Sequence, residues 1–74
     1  MNKVTLQAKL GVAIRRRRLA SEYSQESFAD AIGMHRAYYS SIERGERNLT
    51  LTTVERVANG LGCKIADLML DAAI

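Results

Sequence analysis

The segment Ser24–Gly45, SQESFADAIGMHRAYYSSIERG, contains two apolar patterns of helical spacing separated by a glycine. Ser24 can accept a hydrogen bond from a backbone N–H and begin the first helix, and Gly33 can end it in the left-handed conformation. Ala29 is small enough for the backbones of two helices to approach where they cross. The pattern predicts two helices that cross steeply at a short turn, a helix-turn-helix. The residues predicted to face their shared core are Phe28, Ile32, Met34, Tyr39 and Ile42.

Apolar residues recur at helical spacing through the rest of the chain, and no strand pattern is present. Thr50 is expected to cap a fourth helix, whose inward stripe begins at Leu51 and which Gly62 ends. We therefore expect one all-α domain over residues 1–74, built as a five-helix bundle. The predicted helices begin and end near Leu6 and Ser21, Gln25 and Ile32, Arg36 and Arg44, Leu51 and Leu61, and Lys64 and Ala72.

Composition excludes several classes of function. The 74 residues include one cysteine, Cys63, and one histidine, so neither an internal disulfide nor a structural metal site is expected, and no cofactor is predicted. Glu43 and Glu46 lack a partner carboxylate and a pocket, which argues against an enzyme. The chain has no apolar run long enough to cross a membrane and no signal peptide, so a cytoplasmic protein is expected. A formal charge of +3 at pH 7 favours a polyanionic partner.

Two adjacent tyrosines on the third predicted helix identify its outer face. Neighbours on a helix point about 100° apart, so if Tyr39 faces the core, Tyr38 points outward beside Arg36. Ser40 and Ser41 are predicted to lie on the same outer face. A helix that enters the major groove needs small residues for close approach and long donors to reach base edges. We therefore predict that Arg36 binds guanine, that Ala37 contacts a thymine methyl and that Ser40 hydrogen-bonds a base edge.

Contacts to the DNA backbone are predicted around that face. The free N–H groups at the start of the second helix favour an anion near Ser24 and Gln25. The hydroxyl of Tyr38 can donate to a phosphate, and the loop after the third helix can lie along the backbone. Such contacts position a protein and carry little sequence information. The predicted backbone contacts are Ser24, Gln25, His35, Tyr38, Ser41, Arg44, Arg47 and Asn48.

Two further predictions concern stability. Arg18 of the first helix is expected to pair with Glu43 of the third helix as a structural tie. A chain this short usually needs a disulfide, a metal or a partner subunit, and we expect a homodimer formed by the fourth and fifth helices and the C-terminal tail. The predicted dimer contacts are Ile65, Met69, Leu70, Ala73 and Ile74.

The stretches SQESFADAIG, YSSIERGERNLTL and VERVANGLG resemble the phage-repressor-type, or lambda-repressor-like, helix-turn-helix domain over about residues 11–68. The run HRAYYSSIERGERNLTL most resembles controller proteins of restriction–modification systems. The resemblance implies homodimers that bind a pseudo-palindromic double-stranded DNA operator ahead of their own gene. It also implies activation at low occupancy and repression at high occupancy, with RNA polymerase as a further candidate partner. The DNA-contacting positions and the Arg18–Glu43 pair that it implies coincide with those named above.

Some positions depart from that family pattern. Glu22 stands where a helix-ending glycine is usual, and His35 and Lys64 replace common N-cap residues, which leaves the local helix boundaries open. A phage repressor or an antitoxin-type autoregulator is an alternative of the same class. An alternative of another class is a helical protein–protein interaction module without DNA binding.

Overall fold

Between residues 4 and 73 the chain forms five α-helices joined by short turns, in the order that the apolar periodicity predicts. The structure, a computed structural model, describes residues 4–73. Within this range every regular element is helical and no strand is present, which confirms the all-α prediction. The helices are α1 (Leu6–Ala20), α2 (Gln25–Ala31), α3 (Arg36–Glu43), α4 (Leu51–Leu61) and α5 (Ile65–Asp71).

Hydroxyl caps begin three of the helices. The side-chain oxygens of Thr5, Ser24 and Thr50 each accept a hydrogen bond from the backbone N–H three residues further on. Such a cap satisfies one of the free donors of the first helical turn. His35 begins α3 without a side-chain capping hydrogen bond, so this helix depends more on packing than on local signals. At the start of α5 the Lys64 side chain makes no cap, but the Lys64 backbone N–H donates to Oδ2 of Asp67 at 2.9 Å.

The core lies where α3 packs against α1 and α2 and where α5 packs against α1 and α4. Phe28, Tyr39 and Leu68 are completely buried, and the rings of Phe28 and Tyr39 meet with centroids 5.2 Å apart. Leu51 was predicted to face inward, but its side chain is 74% exposed, so that prediction is wrong. It lies in the first turn of α4, where it lines only the edge of a shallow apolar depression shared with Leu6.

The turn between α2 and α3 has the predicted geometry. Ala29 is buried, and Gly33 has a φ of +66°, a left-handed conformation that glycine adopts without steric cost. The N–H of Met34 then donates to the carbonyl of Ala29 at 2.8 Å, which closes the end of α2. Glu22 adopts a φ of +62° at the end of α1, where the family pattern has glycine.

Gly11 allows α1 to lie directly against the end of α3. A Cβ atom at this position would be 2.5 Å from the backbone carbonyl oxygen of Glu43. The close approach brings Arg18 of α1 within reach of the Glu43 carboxylate, and the predicted ion pair is confirmed. The C-terminal end of α3 is therefore held at the centre of the molecule, while its first turn remains at the surface.

Candidate nucleic-acid interface

The first turn of α3 presents the predicted base-contacting residues on one open surface. Arg36 and Ala37 are exposed and Ser40 is half-buried, and they line a shallow depression together with His35 and Arg44. We call these five residues the α3 surface. The structure therefore brings all three predicted base readers together and leaves them accessible to a large partner.

Arg44 links the α3 surface to the following loop. Its Nε and one terminal nitrogen donate to the two carboxylate oxygens of Glu46, each at 3.1 Å. Its other terminal nitrogen donates to Oγ of Ser40 at 2.7 Å. Since the Ser40 oxygen is accepting this bond, its own O–H is free to donate. A hydroxyl held in this way is suited to acceptor atoms on a base edge, such as N7 or O6 of guanine.

A second cluster lies on the other side of α3. The Arg47 guanidinium stacks over the Tyr38 ring at 5.1 Å, and its Nε donates to Oγ of Ser41 at 2.9 Å. Ser41 was predicted to face outward, but it is only 4% exposed and its hydroxyl donates to the Tyr38 carbonyl at 2.5 Å. That prediction is wrong, because position 41 lies on the flank of α3 covered by the Arg47 side chain.

Tyr38 is correspondingly half-buried and not fully outward as predicted. Its ring packs at the margin of the core, and Arg47 covers part of it. A guanidinium over an aromatic ring is attracted by the ring quadrupole. Arg47 is therefore preorganised on the surface next to α3, although it belongs to a loop.

The start of α2 is connected to the buried ion pair. The Gln25 amide nitrogen donates to Oε1 of Glu43 at 3.0 Å, while Ser24 is engaged as the N-cap of α2. Asn48 is exposed and its side-chain oxygen accepts a hydrogen bond from Gln7. Ser24 and Gln25 thus lie at the start of α2 and Asn48 lies in the loop between α3 and α4, and each already has a partner within the chain.

The Glu43 carboxylate, at the C-terminal end of α3, is held in its ionised form. Burial alone would raise its pKa, but hydrogen bonds from Arg18, Tyr39 and Gln25 together lower it below the ordinary value. Arg18 donates to the carboxylate through Nε at 2.6 Å and through a terminal nitrogen at 3.1 Å. Burial and the hydrogen bond to Glu43 raise the pKa of Tyr39, so its hydroxyl remains a donor. This network has a structural role and offers no free group to a ligand.

Arg56 was not predicted as a functional residue. Its Nε donates to the carbonyl of Ile32 at 2.7 Å, and a terminal nitrogen donates to the carbonyl of Gly33 at 2.8 Å. It therefore ties α4 to the turn that precedes α3. No sequence signal indicates this contact, because Arg56 is more than twenty positions from its partners in the sequence.

The predicted dimer residues show graded exposure. Ile65 and Met69 are half-buried against the core, whereas Leu70 is 79% exposed and Ala73 is exposed. Ile74 lies outside the described residues. Two large apolar side chains that were not among the predicted dimer contacts, Leu6 and Leu51, are exposed beside Met69 along one depression. This apolar surface is separate from the α3 surface.

Among residues 4–73 no cluster of three or more histidine, cysteine or acidic side chains could hold a metal ion. None of the helices in that range combines the length and apolar character required to span a bilayer.

Comparisons with known proteins agree with this geometry. The helix-turn-helix family profile matches residues 14–68. The control protein C.MunI of Mycoplasma sp. is 46% identical over 55 residues, 74% of this chain and 74% of its own length. The control protein C.BamHI of Bacillus amyloliquefaciens is 42% identical over 60 residues, 80% of this chain and 74% of its own length.

Solved structures share the arrangement of helices. The clp gene regulator ClgR of Corynebacterium glutamicum superimposes with a TM-score of 0.90 at 29% identity, covering 93% of this chain and 88% of its own. The restriction–modification controller C.AhdI of Aeromonas hydrophila superimposes with a TM-score of 0.80 at 34% identity, covering 84% of this chain and 94% of its own. The controller C.Esp1396I was solved as a tetramer with its natural 35 base-pair operator. It superimposes with a TM-score of 0.81 at 29% identity, covering 97% of this chain and 100% of its own.

Proposed function

This chain belongs to the helix-turn-helix family, and from that premise we propose that it is a sequence-specific DNA-binding transcription regulator that controls a restriction–modification operon. The observation that carries the proposal is the α3 surface. Its donors are solvent-accessible, while Tyr39 and Ile42 on the opposite side of α3 anchor the helix in the core. The described residues include no metal cluster, and the family consists of DNA-binding regulators and not of enzymes.

Base recognition is assigned to three side chains of the α3 surface. Arg36 at the first position of α3 can donate two parallel hydrogen bonds to O6 and N7 of a guanine. Ala37 has only a methyl group and allows contact with a thymine methyl. Ser40 donates its free O–H to an acceptor on the base edge, since Arg44 occupies its oxygen.

Phosphate contacts are assigned to the flanks of the α3 surface. Arg47 is held over the Tyr38 ring with terminal nitrogens still available, and the Tyr38 hydroxyl lies beside it as a second donor. His35, Arg44 and Asn48 are exposed around the same helix, and Ser24 and Gln25 start α2. Ser41 supports this set through its bond to Arg47 and does not need to contact a phosphate itself.

We expect a homodimer on a pseudo-palindromic operator because the α3 surface of a single copy is small. One short helix reads few base pairs, and two copies placed about 34 Å apart would enter successive major grooves on one face of the duplex. The dimer surface is assigned to the apolar area formed by Ile65, Met69, Leu70 and Ala73, with Leu6 and Leu51 beside Met69. Sedimentation at micromolar concentration is expected to give a dimer, and a stable monomer would contradict the assignment.

The decisive experiment is a gel-shift titration with the duplex directly upstream of the protein's own gene. A scrambled duplex of the same length and base composition serves as the control. Preferential binding of the upstream duplex supports the proposed function. Equal binding of both duplexes would contradict sequence-specific recognition, and binding of neither would favour the helical protein–protein interaction module without DNA binding.

A regulator of another kind of operon is the second candidate, because the fold is shared with ClgR at a high TM-score. Phage repressors and antitoxin-type autoregulators belong to the same group. Neighbouring methyltransferase and endonuclease genes would support the restriction–modification assignment. Both candidates place the protein in the cytoplasm, and contact with RNA polymerase would be tested by transcription from the upstream promoter in a purified system.

A further inference from the structure

One carboxylate lies among the cations of the proposed DNA-binding surface. Glu46 follows α3 and binds the Arg44 guanidinium through both of its oxygens, each at 3.1 Å. Both side chains are more than half exposed, with 55% exposure for Arg44 and 57% for Glu46. A bidentate pair of this kind is geometrically specific and partly cancels the positive charge of the arginine.

The pair determines which donors of Arg44 a duplex can reach. Nε and one terminal nitrogen point at Glu46, and the other terminal nitrogen points at Ser40. Every nitrogen of the guanidinium therefore has a partner within the chain. A phosphate can bind the edge of the guanidinium formed by Nε and the terminal nitrogen that faces Glu46 only by displacing the carboxylate. The displaced carboxylate would then lie close to the negatively charged DNA backbone.

Stabilisation of the fold does not account for this arrangement. Exposed ion pairs contribute little to folding because water and salt screen them. The side chain of Glu46 binds Arg44 alone among the described residues, and its backbone N–H, which donates to the Ser41 carbonyl at 3.0 Å, is independent of the side chain. Glu46 can therefore be neutralised without loss of the loop conformation.

We propose that Glu46 is a specificity-determining residue that withholds Arg44 from the phosphates of non-operator DNA. The inference rests on the proposed function. Non-specific binding depends on phosphate neutralisation alone, so a cation engaged with its own carboxylate contributes little to it. On the operator, base contacts by Arg36 and Ser40 hold α3 in the groove. Exchange of the carboxylate for a phosphate then occurs within a complex that is already formed.

The test compares Glu46→Gln with Glu55→Gln, which removes the same charge from an exposed position on α4. Binding of a fluorescein-labelled scrambled duplex is titrated by anisotropy over a series of salt concentrations. Release of one cation per subunit should make the slope of log K against log salt steeper by about 0.9 per subunit. At about 0.1 M salt this corresponds to roughly tenfold tighter non-specific binding per subunit. Glu55→Gln should tighten non-specific binding only slightly, through the change in net charge.

The operator duplex completes the test. Glu46→Gln should tighten operator binding less than non-specific binding, so the ratio of the two affinities falls. In an Arg44→Ala background, Glu46→Gln should have no larger effect than Glu55→Gln, because the restrained cation is absent.

Three results would overturn the proposal. They are equal effects of Glu46→Gln and Glu55→Gln, an effect of Glu46→Gln that persists without Arg44, and weaker binding of Glu46→Gln to both duplexes. Failure of the wild-type protein to prefer its upstream duplex would count against the proposed function instead. The scrambled-duplex measurement does not depend on that preference, so the two failures are distinguishable.

Discussion

Arg18 of α1 and Glu43 of α3 form a buried, bidentate ion pair that joins the two helices. The terminal nitrogen of Arg18 that does not bind Glu43 donates to the carbonyl of Tyr23 at 2.7 Å, so each of the three guanidinium nitrogens has a partner. Tyr39 and Gln25 donate to the same carboxylate. One acidic group thus connects α1, α2 and α3 and fixes the angle at which α3 leaves the core.

Glu43→Gln is expected to lower the free energy of unfolding by about 3–5 kcal/mol, because it leaves the Arg18 charge buried without its counterion. Urea or thermal unfolding followed by circular dichroism measures this. The matched control is Glu55→Gln on the exposed face of α4, which should leave the transition midpoint unchanged. Equal midpoints for the two variants would show that the Arg18–Glu43 ion pair contributes little to the free energy of unfolding.

The ionised carboxylate of Glu43 should also make the protein less stable in acid. The pKa of Glu43 in the folded state is lowered, despite burial that opposes this, by hydrogen bonds from Arg18, Tyr39 and Gln25. A group whose folded pKa is depressed contributes stability above its unfolded pKa, about 4.3, and the contribution is lost as the pH falls through the folded pKa. The unfolding free energy of the wild type should therefore decline below about pH 4.3 more steeply than that of Glu43→Gln. The prediction would be contradicted if the curves of unfolding free energy against pH were parallel for the wild type and Glu43→Gln.

Arg56→Ala removes both hydrogen bonds to the turn between α2 and α3. The unfolding free energy should fall by about 1 kcal/mol. Operator affinity should fall as well, because the orientation of α3 is less defined. The slope of log K against log salt should not change, since Arg56 is occupied by the turn and is not assigned to a phosphate. Arg16→Ala, which removes the same charge from the exposed side of α1, is the control and should alter neither stability nor sequence preference.

Arg36→Ala is expected to weaken operator binding by about 1–3 kcal/mol and to relax discrimination at one base pair. A gel-shift series over operators with single base-pair changes would locate that position. The assignment of Arg36 as a base reader would be wrong if the variant retained the full preference of the wild type at every position.

Arg47→Ala should weaken binding to operator and scrambled duplexes alike. The salt slope should become shallower by about 1 per subunit, because one phosphate contact is lost. Ser41→Ala, which removes the hydroxyl that fixes Arg47 but keeps the cation, should retain the salt slope and lose only part of the affinity. A selective loss of operator binding in Arg47→Ala would instead place this arginine at a base edge.

Local signals determined much of this fold. The hydroxyls at Ser24 and Thr50 and the glycine at position 33 act on backbone groups within a few residues, so they place helix ends wherever the helices pack. The outward position of Arg36 and the burial of Tyr39 follow from the 100° step of the helix once one side of α3 is apolar. Fold class and the location of the candidate DNA surface were therefore predictable from the sequence.

Contacts between distant segments were decided only by the tertiary structure. Burial of Ser41, exposure of Leu51 and the bonds from Arg56 to the turn depend on which loop or helix covers each side chain, and periodicity within one helix carries no such information. The engagement of Arg44 by Glu46 depends likewise on the path of the loop after α3. Helical spacing specifies the direction in which a side chain points, whereas the partner it meets there is set by the packing of the whole chain.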